Sequence, residues 1–217
     1  MKRLLYPIVA TIIFSLASSC SSDNKVILFS GADLENWNIF VSTPEVAPGD
    51  LFWVEDGVIK TPGKPHGYIH TKEKYSNYKL HVEWRWTGEP SNSGVLIHTQ
   101  GKDMIWPLCT ECQLKSGNAG DIVCIGKGSG LTIKDSTYLV TSEEKRFIVI
   151  PKYEESSELA PGEWNSYDIT TQDGNIEVSV NGVLQNTGSA MTLTEGTIGL
   201  QSEGSPMEFR NIYLKPL

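Results

Sequence analysis

The sequence has little helical periodicity, no cluster of Lys and Arg side chains and no internal repeat. The lack of a 3.6-residue apolar repeat points away from helices and toward strands. The formal net charge is -8 at pH 7, whereas a nucleic-acid-binding face needs a basic patch. The sequence therefore predicts no nucleic-acid partner, and it leaves small neutral ligands as the open class.

The long apolar run of this chain lies at its start. Residues 4–16 follow Lys2 and Arg3, and the run is too short to span a bilayer as a stable helix but typical of a signal peptide. Small residues then precede Cys20, which resembles the box where bacterial lipoproteins are cleaved and acylated. The residue three before the cysteine is Ala17 rather than the usual aliphatic residue, so plain secretion with an incidental Cys20 is the alternative.

This pattern predicts three segments: a signal peptide at residues 1–19, a lipidated Cys20 with a polar tether at 20–25, and one domain at 26–217. The domain has roughly 190 residues, enough for one full core. The membrane partner would be reached through the lipid on Cys20. The predicted location is the cell envelope of a bacterium, as a periplasm-facing or surface-exposed lipoprotein.

Period-two alternation dominates the rest of the chain and predicts an all-β fold. In residues 78–87, Leu80, Val82, Trp84 and Trp86 fall on one face, which should be the core face. Turn dipeptides such as Asp-Gly and Asn-Gly separate the runs, and such spacing is typical of a sandwich of two antiparallel sheets. Further strands are predicted at 95–100, 111–115, 167–171, 176–181, 197–201 and 207–214, whereas 136–161 is predicted as a solvated loop or hairpin tip.

Cysteines are few. Beyond Cys20 there are only Cys109, Cys112 and Cys124, an odd number, so at least one thiol must be free or pair externally. A bond from Cys109 or Cys112 to Cys124 is favoured over a metal role, because a second Cys-x-x-Cys is missing. Buried free thiols are favoured over both.

An ordered set of short segments runs along the whole of the predicted domain. In one-letter code they are LFSG (28–31), WVEDGVI (53–59), EWR (83–85), NSGV (92–95), ECQL (111–114), GEWN (162–165), VNG (180–182), IGLQ (198–201) and EFRNI (208–212). In this order and spacing they resemble the 3-keto-disaccharide hydrolase family. The resemblance implies a concanavalin A-like jelly-roll sandwich of two antiparallel sheets and sugars as ligands. Two positions depart from the family: Lys115 stands where an Asp is usual, and Glu203 where a His is usual.

The activity that the resemblance implies has a simple chemical basis. A ketone at carbon 3 of a sugar acidifies the hydrogen on carbon 2, so a base can remove it and the aglycone can leave from carbon 1. Water then adds to the resulting enone. The reaction needs a base, a group that stabilises the enolate oxygen, and an acid for the leaving group.

Polar side chains on three predicted strands could supply these groups if the strands were neighbours. Glu111, the strongest candidate, lies in the family-matching segment, and a carboxylate there could act as base or metal ligand. A His/Glu site could take a divalent ion such as Zn, Mn or Ca, although no cofactor is certain. The catalytic candidates are Glu111, Glu83 and His98, and the substrate-binding candidates are Arg85, Asn92, Gln113, Lys115, Trp106 and Gln201.

Each candidate has a structural alternative. Glu83 and Arg85 could form a solvated surface pair, and His98 could be an ordinary buried histidine. At the level of function the alternatives are a carbohydrate-binding module without catalysis, or a conventional glycoside hydrolase with Glu83 and Glu111 as its two carboxylates. The same fold serves all three.

Overall fold

The structure is a computed structural model that describes residues 24–217. The predicted signal peptide and the predicted lipid site at Cys20 lie outside the described residues. Among the described residues, no helix has the length and apolar character that crossing a membrane requires. These residues form strands joined by turns and one short helix, α1 (Pro48–Leu51). The predicted all-β fold is confirmed.

The strands are numbered in chain order. They are β1 (Val26–Ile27), β2 (Trp37–Val41), β3 (Trp53–Glu55), β4 (Val58–Thr61), β5 (Gly67–Thr71), β6 (Tyr78–Trp86), β7 (Gly94–Gln100), β8 (Leu108–Gln113), β9 (Ile122–Ile125), β10 (Gly130–Ile133), β11 (Ser136–Leu139), β12 (Phe147–Ile150), β13 (Asn165–Gln172), β14 (Asn175–Val180), β15 (Val183–Gly188), β16 (Thr197–Ser202) and β17 (Met207–Pro216).

Two large antiparallel sheets contain most of these strands. Sheet 1 has the order β15-β14-β13-β6-β17-β4-β3, with β1 paired to β17, and sheet 2 has the order β12-β9-β8-β7-β16-β5-β2. Strands β10 and β11 form a separate hairpin. The segment predicted as a loop at 136–161 therefore contains β11 and β12. The loop prediction is wrong for these two strands. Their side chains are mostly exposed, so neither strand shows the alternation of buried and exposed residues that marks a core-facing strand.

The inner faces of the two sheets enclose one hydrophobic core. From β6, Trp84 is fully buried and Trp86 is 4% exposed, which confirms the predicted inward face of this strand. Sheet 2 contributes Val95 and Ile97 from β7 and Leu200 from β16 to the same cluster. Replacing a side chain of the size of Trp by Ala in such a core costs about 3–5 kcal/mol.

The outer face of sheet 1 is a network of satisfied charges. Arg210 donates through Nε to Glu83 Oε2 at 2.6 Å, and Asn211 donates to Glu83 Oε1 at 2.7 Å. Arg85 is bonded to Glu208 at 2.7 Å through both Nε and Nη2. The guanidinium carbons of Arg85 and Arg210 lie 4.6 and 4.0 Å from the ring centroid of Trp164. We call this surface the charged face. Its ionised side chains bind one another.

The prediction that Glu83, Arg85, His98, Glu111 and Gln113 share one open face is wrong. Strand β6 lies in sheet 1, whereas β7 and β8 lie in sheet 2. The chain between β6 and β7 crosses from one sheet to the other and does not form a hairpin. Glu83 and Glu111 therefore lie on opposite outer surfaces of the sandwich, with the core between them, and cannot act as the two carboxylates of one glycosidase site.

All three described cysteines are free and buried, as the favoured interpretation predicts. Cys112 and Cys124 face the core, whereas Cys109 belongs to a small apolar cluster on the other side of sheet 2. Burial raises the pKa of the Cys124 thiol to about 11, and it raises the pKa values of Cys109 and Cys112 as well. Thiols held protonated in this way are inert structural side chains.

Replacing Glu83 with Gln should weaken the fold. Partial burial works to raise the pKa of Glu83, but the hydrogen bonds from Asn211 and Arg210 outweigh it and lower the pKa. The stabilisation by this group is therefore present above the unfolded-state pKa and is lost as the pH falls through the folded-state pKa. We expect Glu83→Gln to lower the free energy of unfolding by about 1 kcal/mol at pH 7.

Urea unfolding at pH 7 and at about pH 3 measures this difference. The deficit should shrink toward acidic pH, as the wild-type carboxyl also takes up a proton. Glu177→Gln is the matched control, since Glu177 is an exposed carboxylate on β14 of the same sheet. An equal loss in both variants, or a loss independent of pH, would contradict the structural role of Glu83.

Candidate functional site

The outer face of sheet 2 carries the side chains that do not enter the core. Glu111 of β8 lies opposite Leu96 of β7, and Gln113 lies opposite Gly94. Because side chains alternate along a strand, Glu111 and Gln113 share this face with Cys109. The outer face of sheet 2 is therefore partly apolar, and its polar side chains lie among buried neighbours.

Glu111 is a buried carboxyl group with one oxygen that lacks a hydrogen-bond partner among the described residues. The residue is 4% exposed, and its Oε1 atom has no hydrogen-bond partner among the described residues. Burial raises the pKa of Glu111 well above its usual value, and the nearby carboxyl group of Glu203 raises it further. At neutral pH the Glu111 side chain is therefore suited to carry a proton.

Gly94 makes room for this carboxyl group. A Cβ atom on Gly94 would collide with Glu111 Oε1 and would lie 2.8 Å from Gln201 Oε1. The two side-chain oxygens thus both lie over the backbone of β7 at its first residue. Gln201 Oε1 is also buried without a partner, so two acceptors that lack donors stand next to each other.

Three half-buried residues lie in the neighbouring segments of the chain: Asn92 before β7, Trp106 between β7 and β8, and Glu203 after β16. The indole Nε1 of Trp106 donates to Glu203 Oε1 at 3.3 Å. Asn92 Oδ1 is a further buried acceptor without a partner. A Cβ atom on Gly204 would lie 3.0 Å from the Asn92 backbone nitrogen, so the chain after β16 packs against the chain before β7. We call Glu111, Gln201, Asn92, Trp106 and Glu203 the carboxyl site.

The segment between β7 and β8 covers the apolar part of the same face. Trp106 packs against a cluster that includes Leu96 and Cys109, and its ring meets Phe147 edge-on at 5.4 Å. Arg146 donates to the Trp106 carbonyl at 3.1 Å. These contacts fix the position of the indole at the edge of the carboxyl site.

Comparison with known proteins places the chain in a family. The model of the family described as 3-keto-alpha-glucoside-1,2-lyase-like domain matches residues 24–215. The chain belongs to this family. A search of curated proteins gives no match. Family membership supports a carbohydrate-active function and a carbohydrate substrate.

Solved structures share the fold. A protein from Parabacteroides distasonis ATCC 8503, provisionally described as a glycosyl hydrolase, is 24% identical with a TM-score of 0.62 over 89% of this chain and 94% of that chain. The carbohydrate-binding module CBM66 from Bacillus subtilis is 9% identical with a TM-score of 0.58, over 83% and 95%. A Bacillus subtilis protein of unknown function with a galectin-like fold is 11% identical with a TM-score of 0.54, over 88% and 94%. At these identities the likeness shows the fold alone.

The structure separates His98 from the carboxyl site. A β-bulge interrupts the pairing of β7 with β8 after Ile97, and His98 has a φ of 52°. The His98 ring therefore leaves the outer face: Nδ1 donates to the Leu193 carbonyl at 2.8 Å, and the ring meets Tyr78 edge-on. Burial lowers the pKa of His98, so the ring is neutral. The predicted grouping of His98 with Glu111 is wrong.

The remaining sequence candidates divide between the two sheets. Glu83 and Arg85 belong to the charged face. Gln113 is on the same face as Glu111, but its Oε1 accepts from the backbone N–H groups of Leu114 and Lys115 and so holds the end of β8. Lys115 is exposed beyond that strand. Glu111, Gln201, Asn92 and Trp106 are the candidates that the structure brings together.

Sequence reasoning did not include Glu203 among the candidates. The available signal was its departure from the family pattern, at a position where a His is usual. Concerning metals, residues 24–217 contain no group of three or more His, Cys, Asp or Glu side chains arranged to hold an ion.

Gly94→Ala should displace the carboxyl group of Glu111. The backbone of Gly94 does not require a positive φ, so the new methyl group acts by collision with Glu111 and not by backbone strain. We expect a loss of about 1–3 kcal/mol in the free energy of unfolding. In a Glu111→Ala background the same change should cost less, because the colliding carboxyl group is gone.

The measurement is a double-mutant cycle by urea unfolding of the four proteins. Gly49→Ala is the control, since a Cβ atom there would meet nothing within 4 Å. Equal costs of Gly94→Ala in both backgrounds would show that Glu111 does not lie over the glycine.

Proposed function

We propose that this protein cleaves 3-keto-glycosides, such as 3-keto-disaccharides, by elimination followed by hydration at the carboxyl site. The observation that carries the proposal is a group of buried side-chain oxygens without hydrogen-bond partners among the described residues: Glu111 Oε1, Gln201 Oε1 and Asn92 Oδ1. A buried acceptor left unpaired costs about 1–3 kcal/mol. Sugar hydroxyl groups are the donors that a carbohydrate substrate would bring to these atoms.

The proton chemistry of elimination fits Glu111. The departing aglycone oxygen needs a proton as its bond to carbon 1 breaks, and burial raises the pKa of Glu111 well above its usual value, which suits this carboxyl group to supply that proton. Trp106 would stack on the sugar ring, and the amide groups of Gln201 and Asn92 would orient its hydroxyls.

Glu111→Gln should abolish turnover of a 3-keto-disaccharide and leave the protein folded. The amide has nearly the shape of the carboxyl group but cannot deliver a proton, and loss of a general acid or base lowers the rate by about 10²–10⁴-fold. Wild type and variant are incubated with a 3-keto-disaccharide and with its unoxidised parent, and released sugar is measured. Turnover should also produce a transient enone that absorbs in the ultraviolet.

Glu83→Gln is the matched control, because Glu83 is a carboxylate on the opposite surface and its loss should leave turnover unchanged. The parent disaccharide should be inert, since without the ketone the hydrogen on carbon 2 is too weakly acidic for removal. Binding of sugars without turnover by the wild type would instead indicate a carbohydrate-binding module. Cleavage of the unoxidised disaccharide would indicate a conventional glycoside hydrolase.

The location of the protein is a separate proposal that rests on the sequence. We propose that Cys20 carries a lipid that anchors the domain in the bacterial cell envelope. In the native host, Cys20→Ala should release the domain from the membrane fraction, because the acyl chains supply the binding energy for the bilayer. Fractionation and N-terminal sequencing test this. A soluble wild type whose N-terminus is not Cys20 would contradict the anchor.

A further inference from the structure

Glu203 faces the carboxyl site from the chain that follows β16. Strand β16 ends at Ser202, and Gln201 of the same strand places its side-chain oxygen beside Glu111. Glu203 is close enough to Glu111 for its charge to act on that carboxyl group. Glu111 on β8 and Glu203, two residues after Gln201, therefore lie on the same side of sheet 2, near enough for their charges to interact.

The two carboxyl groups have different surroundings. Glu111 is buried on the floor of the site with an unpartnered oxygen. Glu203 is half-buried at its edge, and its Oε1 accepts a hydrogen bond from the Trp106 indole. Dry burial favours the protonated form of a carboxyl group such as that of Glu111. When the surroundings of two such groups differ in this way, one is suited to be the acid and the other the base.

We infer that Glu203 is the catalytic partner of Glu111: Glu203 removes the hydrogen on carbon 2 as the base, and Glu111 protonates the leaving oxygen as the acid. This inference rests on the proposed function and names the second group that the reaction needs. Trp106 acts here as a positioning residue, since its N–H holds the Glu203 carboxylate.

The proton transfers balance over the full reaction. In the elimination, the carbon 2 hydrogen goes to Glu203 as a proton, its electron pair forms the carbon 1–carbon 2 double bond, and the bond from carbon 1 to the aglycone oxygen breaks. That oxygen takes the proton of Glu111. In the hydration, Glu111 accepts a proton from the water that attacks carbon 1, and Glu203 returns its proton to carbon 2. Both groups end as they began, and no oxidant or reductant is required.

The other groups that face Glu111 do not replace Glu203 in this role. Strand β7 presents Gly94 and Leu96, and β9 presents Val123 opposite Glu111. The ionisable groups that Glu111 influences are Cys109, Cys112 and Tyr167, and burial raises the pKa of each. Arg146 acts on Cys109, whereas the charged group that acts on Glu111 is Glu203.

The pairing can be tested without substrate. In protein labelled with ¹³C at the Glu side-chain carboxyl carbon, the Glu111 resonance is assigned as the one that Glu111→Gln removes, and it is titrated by NMR. In Glu203→Gln, the pKa of Glu111 should fall, because the neighbouring negative charge is gone. The resonance of Glu83 is the internal control and should titrate unchanged. An unchanged pKa of Glu111 in Glu203→Gln would overturn the pairing.

The base role is tested on a 3-keto-disaccharide. Glu203→Gln should lower kcat by about 10²–10⁴-fold. Glu203→His introduces the residue that is usual at this position. This variant should retain turnover, with a pH profile shifted toward the pKa of imidazole. Trp106→Phe should lower kcat less than Glu203→Gln does. Full turnover by Glu203→Gln would overturn the base role.

The proposed function and the pairing of Glu203 with Glu111 can be overturned separately. If wild type turns over no 3-keto-disaccharide, the proposed function is overturned and the base role with it, while the NMR titration still decides whether the carboxyl groups are paired. If Glu203→Gln does not fold, Glu203→Asp serves both tests, since it keeps the charge but retracts it by one methylene. Wild-type turnover and an unchanged Glu111 titration in Glu203→Asp would overturn the inference.

Discussion

The carboxyl group of Glu111, held out of water between two strands, is the feature on which the site depends. Burying such a group without a partner is unfavourable, because the protein supplies no hydrogen bond in place of the lost water. The surrounding sandwich keeps it there: Gly94 leaves space for the carboxyl oxygen, and Trp106 covers the apolar cluster beside it. Local destabilisation of this kind is common at functional sites, where the rest of the fold compensates for it.

The two outer surfaces of the sandwich differ in how their polar side chains are hydrogen-bonded. On the charged face of sheet 1, Glu83 and Glu208 bond to arginines at 2.6–2.7 Å. On sheet 2, side-chain oxygens of Glu111 and Gln201, together with Asn92 Oδ1 just before β7, are buried without hydrogen-bond partners among the described residues. The first arrangement already has its partners and needs no ligand. The second lacks hydrogen-bond donors, which is why the candidate site is assigned to sheet 2 although both surfaces carry Glu side chains on regular strands.

Much of the fold could be read from local pattern. The alternation in residues 78–87 correctly predicted the inward face of β6. Successive side chains of a strand point to opposite faces, and Trp84 lies on the apolar face. Strands β11 and β12 escaped prediction: Phe147 and Val149 are 44% and 55% exposed, so their apolar character does not report a core. The bulge that turns His98 away from the outer face also has no local signature, since it arises where β7 meets two neighbours in shifted register.

The sequence by itself determined the all-β class, the family and the inward side of the strongest strand, because these follow from side-chain periodicity and ordered short segments. Only the tertiary structure decided which polar residues meet. Strand pairing depends on contacts between distant parts of the chain: β8 pairs with β7 and β9, whereas β6 pairs with β13 and β17. Alternation along the strands predicts that Glu83 and Glu111 both point away from the core. Because β6 belongs to sheet 1 and β8 to sheet 2, the two residues lie on opposite surfaces. The chain that follows β16 carries Glu203 on the same side as Glu111.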